Sequence, residues 1–411
     1  MLRKLLLLLL LVVPLYADEP AFFIERIEVR NQERVSPEVV IAESRLRAGQ
    51  QYSEAELRDA AVRLARLPFL LSVDFSLEKG SARGRYILVL AVNETKPFFL
   101  LLDVVPFFES DDTYSDIHFE DRIGDHENLA LGFRWFVGRR GAVHVGFSLT
   151  GTGPEFTSEY PSFVAGYTQY DLFGTRAFAT LNLKRPIEWN DEGLLSPQLV
   201  VGIPLSANQT VTAEYDETRF KGRTRTLDGI EFKDRYGQKV VSARWSYNTT
   251  NEPFYPTEGT LLTVKPHFAW QDGQSTYYDF PGGRVVTPTH ARTYGLEAGA
   301  TRYRELTERS SVWGDIHGRW EHINRRESID PLSTDESAAS GSVGLGYAYS
   351  LWTRQERTGG DSRFEYTARY TNRPRDGSRI YSYEPDVLQL GWSWIRRSSW
   401  GTVRLGVGYA W

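Results

Sequence analysis

The sequence predicts a small α+β domain followed by an all-β, antiparallel transmembrane barrel of about sixteen strands. Three observations carry this. Residues 1–17 form a basic and then leucine-rich leader. Residues 21–96 read as β-α-α-β-β. From Phe98 onward the chain alternates with period two, with large apolar and aromatic residues on one face and glycine, small or charged residues on the other. The 411 residues carry a net charge of −5, so no polyanionic partner such as nucleic acid is expected. The absence of cysteine removes disulfides and thiolate metal sites.

The leader comes first. Arg3 and Lys4 precede the run Leu5 to Leu11, extended by Val12 and Val13, broken by Pro14 and followed by the small Ala17. This is the layout of a secretory signal peptide. The alternative, a membrane anchor, needs about 20 apolar residues, and the run falls well short. No later stretch is long and apolar enough for a spanning helix.

In residues 21–96, "FFIERIEVRN" alternates at Ile27 and Val29 as a half-buried strand does. "SPEVVIAESRLRAG" predicts a helix with Ser36 as N-cap, Pro37 in the tolerated first position and Gly49 as the stop. A second helix opens on a capping box, Ser53 with Glu56, and carries the stripe Leu57, Ala60, Ala61, Leu64 and Leu67. The strands "LSVDFSL" and "RYILVLAVNE" follow, around the turn "EKGSARG".

The ordered run Ile27, Val29, Val35, Ile41, Leu46, Gly49, Tyr52, Leu57, Leu64, Phe69, Val73, Phe75, Leu90, Val92 and Glu94 resembles a polypeptide-transport-associated (POTRA) domain. Asn31-Gln32 departs from that pattern, which often has a glycine there. The resemblance implies a periplasmic peptide-handling module. Its middle strand, here Leu71, Val73, Phe75 and Leu77, would form a sheet edge that accepts a partner's strand.

Residues 98–411 are the barrel. In "SVGLGYAYSLW" Val343, Leu345, Tyr347, Tyr349 and Leu351 oppose Gly344, Gly346, Ala348 and Ser350. "VLQLGWSW", "RFEYTARYT", "SARWSYN", "NLALGFRWF" and "AVHVGFSL" repeat the pattern. A soluble sandwich or propeller is the alternative. Tyrosine and tryptophan near the strand ends suit interfacial girdles, and glycine mixed with charge suits a wet interior. Fifteen segments alternate clearly; Tyr114 to Asp121 and Arg225 to Asp234 do so doubtfully. Even strand numbers are the rule for such barrels, and both barrel ends are expected on the periplasmic side, so parity favours sixteen strands, with fourteen next. The stretches Asp272 to His290, Asn324 to Ser340 and Pro374 to Pro385 are expected to be surface loops.

One such module before such a barrel resembles the BamA/TamA superfamily of outer-membrane insertases and transporters. "DLFGT" (Asp171 to Thr175) is similar to its strand-turn-strand motif, and "NEPFYPTEGT" (Asn251 to Thr260) to its periplasmic turn. That superfamily usually folds a loop bearing Val/Ile-Arg-Gly-Phe/Tyr into the lumen. The corresponding segment here, "NRRESIDPLSTDESAAS", has no Arg-Gly. Either the inward loop is lost, or another arginine, Arg325 or Arg326, stands in for it.

No HExxH or GxSxG pattern is present, so no enzyme activity, metal or cofactor is expected. Period two places Asp315, His317, Arg319 and Glu321 on one face. With Glu297, Glu365 and Arg369 they make a candidate lumen wall, either a charged path or a set of mutually paired, hydrated groups. An outer-membrane hydrolase using Asp315 and His317 would lack a positioned serine. The functional expectation is an outer-membrane protein of a Gram-negative-type envelope that helps insert or translocate polypeptides or lipids. Its partners would be membrane lipid and a periplasmic polypeptide or accessory protein. The proposed exit is a lateral opening between the first and last strands, eased by Pro106. The alternative is a passive pore with a docking domain. Val407, Tyr409 and Trp411 close the last strand and resemble a C-terminal barrel-assembly signal, with the final aromatic expected in the periplasmic girdle.

Overall fold

The computed structural model describes residues 21–410 apart from 66, 68, 105–106, 110–127, 139, 149–150, 153–156, 159–161, 176, 188–190, 207, 223–224, 228–229, 253–255, 280–282, 328–333, 353–359 and 373–386. The leader, Pro106, Tyr114 to Asp121, Pro374 to Pro385 and Trp411 lie outside the described residues.

The small domain is built from β1 (Ala21–Arg30), α1 (Pro37–Ser44), β2 (Gln50–Ser53), α2 (Glu54–Ala65), β3 (Leu70–Lys79) and β4 (Arg85–Glu94). The sheet order is β2-β1-β4-β3, with β1 parallel to β4 and the other neighbours antiparallel. Ile24, Val39, Val40, Leu57, Leu64, Leu88 and Leu90 are fully buried between sheet and helices. Each such side chain contributes roughly 1.5–3 kcal/mol of burial. The capping box forms as the spacing predicts: Ser53 N donates to Glu56 Oε2 at 2.8 Å, and Glu56 N donates to Ser53 Oγ at 3.2 Å.

Two expectations are corrected here. The first helix stops at Ser44 because Arg45 turns left-handed (φ 62°), four residues before Gly49. The chain then pairs as β2, so the order is β-α-β-α-β-β. Gly49, at φ +81°, donates its N–H to Ile24 O at 2.7 Å and starts that strand rather than ending the helix. Ser36 holds the N-cap position without a side-chain capping bond; its hydroxyl goes to Glu38.

The barrel follows in fifteen staves among the described residues: β5 (Phe98–Val104, continued by Phe107–Glu109), β6 (Asn128–Val137), β7 (Gly141–Ser148), β8 (Ser162–Leu172), β9 (Ala177–Pro186), β10 (Asp191–Leu194, continued by Ser196–Pro204), β11 (Gln209–Gly222, continued by Arg225–Leu227), β12 (Ile230–Asn248), β13 (Gly259–Asp279), β14 (Gly283–Thr307), β15 (Ser310–Glu327), β16 (Thr334–Ser350), β17 (Gly360–Asn372), β18 (Val387–Ser398) and β19 (Gly401–Ala410). Consecutive staves are antiparallel and the ring closes between β19 and β5. Closure leaves no free sheet edge, which is the condition for a sheet to sit in lipid. The predicted alternation is realised. Leu345, Ile316, Trp320, Tyr366, Leu390, Val407 and Tyr409 are among the large apolar residues exposed on the outside. Ser350, Ala348, Asp315, Glu365 and Ser393, of opposite parity on the same staves, are buried on the inside.

Two further expectations change. The described parts of Asp272 to His290 and Asn324 to Ser340 are strand: Asp272 pairs with His290, and Asn324 with Asp335, in ladders that continue the wall as far as Asp279 with Gly283 and Arg325 with Thr334. Antiparallel pairing satisfies backbone groups beyond the membrane as well as within it, so the hairpins run on. The last stave also runs parallel to the first, Gly401 opposite Leu100 and Tyr409 opposite Phe108. Ala410 therefore lies beside Glu109, away from the small domain, rather than at the periplasmic side that parity suggested.

Candidate functional site at the barrel mouth and inner wall

The small domain meets the barrel at the short-turn end. Phe69, just before β3, is 2 % exposed and stands edge-on to Phe136 (4.9 Å between centroids) and Tyr170 (5.4 Å) of the wall. Ala142 and Phe178 join the same apolar cluster, so one core runs from the domain into the mouth. Polar contacts fix the exit of the domain. Thr95 N donates to Phe69 O at 3.0 Å, Lys96 N to Ser399 O at 2.7 Å and Leu100 N to Trp400 O at 2.7 Å. Arg397 Nη2 donates to Leu70 O at 3.2 Å. The start of β3 and the turn between β18 and β19 are thereby held together, next to the closing seam.

β3 is the edge of its sheet: among the described strands it pairs with β4 alone. Its predicted apolar residues do not face outward. Val73 is buried in the domain core, Phe75 and Leu77 pack against it, and Leu71 is 5 % exposed after a bulge between Leu70 and Ser72. What the edge offers is backbone, flanked by the exposed Asp74, Ser76 and Glu78.

On the inner wall, the six predicted residues fall into three groups. Asp315, its side chain 5 % exposed, accepts from Arg369 Nη2 at 3.1 Å and lies 3.4 Å from His317 Nε2. Arg319 reaches Glu321 at 2.6 Å and Glu297 at 4.0 Å, and His267 Nε2 lies 3.1 Å from Glu321 Oε1. Glu365 pairs with Arg363 and, at 3.3 Å, with Arg404. Two glycines make room: a Cβ at Gly295 would strike the His267 ring at 2.1 Å, and one at Gly299 would strike His317 at 2.5 Å.

Arg363 and His267 were missed in the sequence. So was a second ladder on the opposite staves. His144 Nε2 lies 2.7 Å from Asn182 Oδ1, Asn182 Nδ2 donates to Gln198 Oε1 at 2.8 Å, and Gln198 Nε2 donates to Glu214 (2.8 Å) and Asp216 (3.0 Å). Lys184 Nζ donates to Asp216 at 2.6 Å. The signal was available: Asn182 and Lys184 alternate with Leu181 and Leu183, as inward and outward residues of a stave do. The connection expected to fold inward is paired as a hairpin as far as Arg325 with Thr334, and residues 328–333 lie outside the described residues. Among the described residues no group of His, Asp and Glu is arranged to hold a metal.

A ring of consecutive antiparallel staves closed by one parallel pair, apolar outside and polar inside, is a transmembrane barrel of the outer-membrane type, with short turns on the periplasmic side. The small domain is on that side. No family model and no curated protein matches the chain. Solved structures match by shape. BamA from Haemophilus ducreyi lacking POTRA domains 1–3 is 12 % identical, with 95 % of this chain and 81 % of that chain covered and a TM-score of 0.45. CdiB from Escherichia coli is 11 % identical over 95 % and 73 %, with a TM-score of 0.46. CdiB from Acinetobacter baumannii is 10 % identical over 92 % and 61 %, at 0.42. None reaches 0.5, and the barrel stands on its own hydrogen-bond ladder.

Proposed function

We propose that this protein receives an extended polypeptide segment at the edge of β3 and passes it toward the seam between β5 and β19, aiding its insertion into or passage across the outer membrane. The observation that carries this reading is the placement of β3. An unpaired sheet edge offers backbone donors and acceptors to an incoming strand. This edge begins at Leu70, whose carbonyl is bonded to Arg397 beside the seam. The resemblance of residues 21–96 to a POTRA domain supports it. A photoreactive residue at Asp74 or Ser76, both exposed on β3, should crosslink periplasmic polypeptides in cells; one at the buried Leu57 should not. Equal labelling from all three positions would remove the edge from the mechanism.

The charged inner wall supports a second reading, a passive pore. Steady single-channel conductance with an ion selectivity that changes on Arg319→Gln would favour it. A closed barrel would argue against it.

A further inference from the structure

We propose that the outer surface of β13–β15 binds an anionic phospholipid of the periplasmic leaflet, with Arg302 and Arg304 holding the phosphate and a trough of small residues above them holding an acyl chain. This is independent of how a client is handled.

The outward residues of β14 are those of even number in this stretch: Tyr294 and Leu296 are exposed, while Thr301, of odd number, is buried inside. Toward the short turn the outward row continues Ala298, Ala300, Arg302, Arg304. Tyr294 belongs to an aromatic cluster with Phe268 (4.8 Å) and His322 (6.3 Å), extended by Trp270 and Trp320. Such a cluster marks one membrane interface. At about 3.3 Å per residue and a tilt of about 40°, Arg302 lies roughly 20 Å and Arg304 roughly 25 Å below Tyr294. The apolar band of a barrel is about 25 Å tall. The two guanidinium groups therefore stand at its lower edge, at the level of lipid phosphates.

An arginine facing lipid is costly unless it is paired or reaches the headgroups. Arg302 Nη1 donates to Thr260 Oγ1 at 2.7 Å, and among the described residues neither arginine has an acidic partner. Directly across the ladder Arg302 faces Gly314 and Ala298 faces Gly318, which in turn faces Gly341. A Cβ at Gly314 would meet only Leu345, at 3.5 Å, and the Gly344 carbonyl oxygen; one at Gly318 would meet nothing within 4 Å. The result is a shallow depression along Ala300 and Ala298 of β14 above the arginines, widened at Gly314 and Gly318 with the exposed Ile316 between them, and bordered by the exposed Leu345 and Trp320. A planar guanidinium pair suits a phosphodiester bidentately, and the trough suits a hydrocarbon chain.

The test is native mass spectrometry of the full chain, released from detergent with titrated dioleoylphosphatidylglycerol. Arg302→Ala with Arg304→Ala should lower the bound fraction at least about tenfold, as expected when two charge-assisted contacts go. Lysine at both positions should restore part of it. Gly314→Leu should weaken lipid binding while leaving the arginines in place. Heat-modifiable gel mobility checks that each variant is folded. Wild-type binding by the double alanine variant overturns the proposal. So does displacement of the lipid by equimolar inorganic phosphate, or insensitivity to Gly314→Leu, since either would leave only a general anion site.

Discussion

Gly401 sits at φ +141°, and a Cβ there would lie 1.7 Å from the Leu100 carbonyl oxygen across the seam. Only glycine fits that approach. Gly401→Ala is expected to part the strands at their first paired residue. Leu102→Cys with Val403→Cys, directly opposed in the ladder, reports it: the chain has no other cysteine, and oxidative crosslinking should fall in the glycine variant. Inside the wall, Glu365→Gln would leave Arg363, 7 % exposed, without its full counter-charge. Breaking a buried pair in this way costs about 3–5 kcal/mol. The folded barrel should then lose its heat-resistant gel mobility at a lower temperature. The inward parity of Asp315, His317 and Glu365 was legible because period two is local. Their partners were not, because Arg404 reaches Glu365 only through the register of β17, β18 and β19, which closure of the ring sets.

The second helix, α2, was legible down to its cap, since Ser53, Glu56 and the apolar stripe all lie within one short stretch. Ser53→Ala should cost about 1 kcal/mol, read as faster hydrogen exchange in the first turn of α2. β2 was not legible: four residues, "QQYS", carry too little alternation, and pairing with β1 makes them a strand. The long hairpins were misread as loops because "DGQSTYYD" and "GRVVTP" hold turn-forming residues that cross-strand pairing overrides. The small domain also has a pH signature. The hydrogen bond from Arg30 holds the Glu78 carboxyl below its usual 4.5, and the Ser81 backbone N–H does the same for Glu25. Groups whose values are lowered on folding stabilise the fold above 4.5, and that stabilisation is lost as pH falls through the lowered values. Protection factors of β1 and β3 amides, corrected for the intrinsic exchange rate, should therefore fall as pH drops below 4.5. Arg30→Ala should flatten that fall.

At the scale of the whole molecule, a single aromatic joins the two parts. Phe69→Ala removes a side chain packed on both the domain core and the wall, a loss of about 3–5 kcal/mol for a buried phenylalanine. Limited proteolysis between Thr95 and Pro97 should accelerate well beyond the rate in wild type. Unchanged cleavage would mean that the hydrogen bonds to Ser399 and Trp400 hold the domain unaided. Barrel architecture was legible from alternation, whereas the sense of the closing pair was not, because parity was inferred from a general rule about strand number. That pair has a consequence for folding order. Every other neighbour in the ring follows its partner along the chain, so hairpins can form early and locally. Leu100 and Gly401 are about 300 residues apart, and bringing them together costs about 5 kcal/mol of loop entropy before any contact repays it. The seam should be the last part of the barrel to gain exchange protection during refolding, and its closure the slow step.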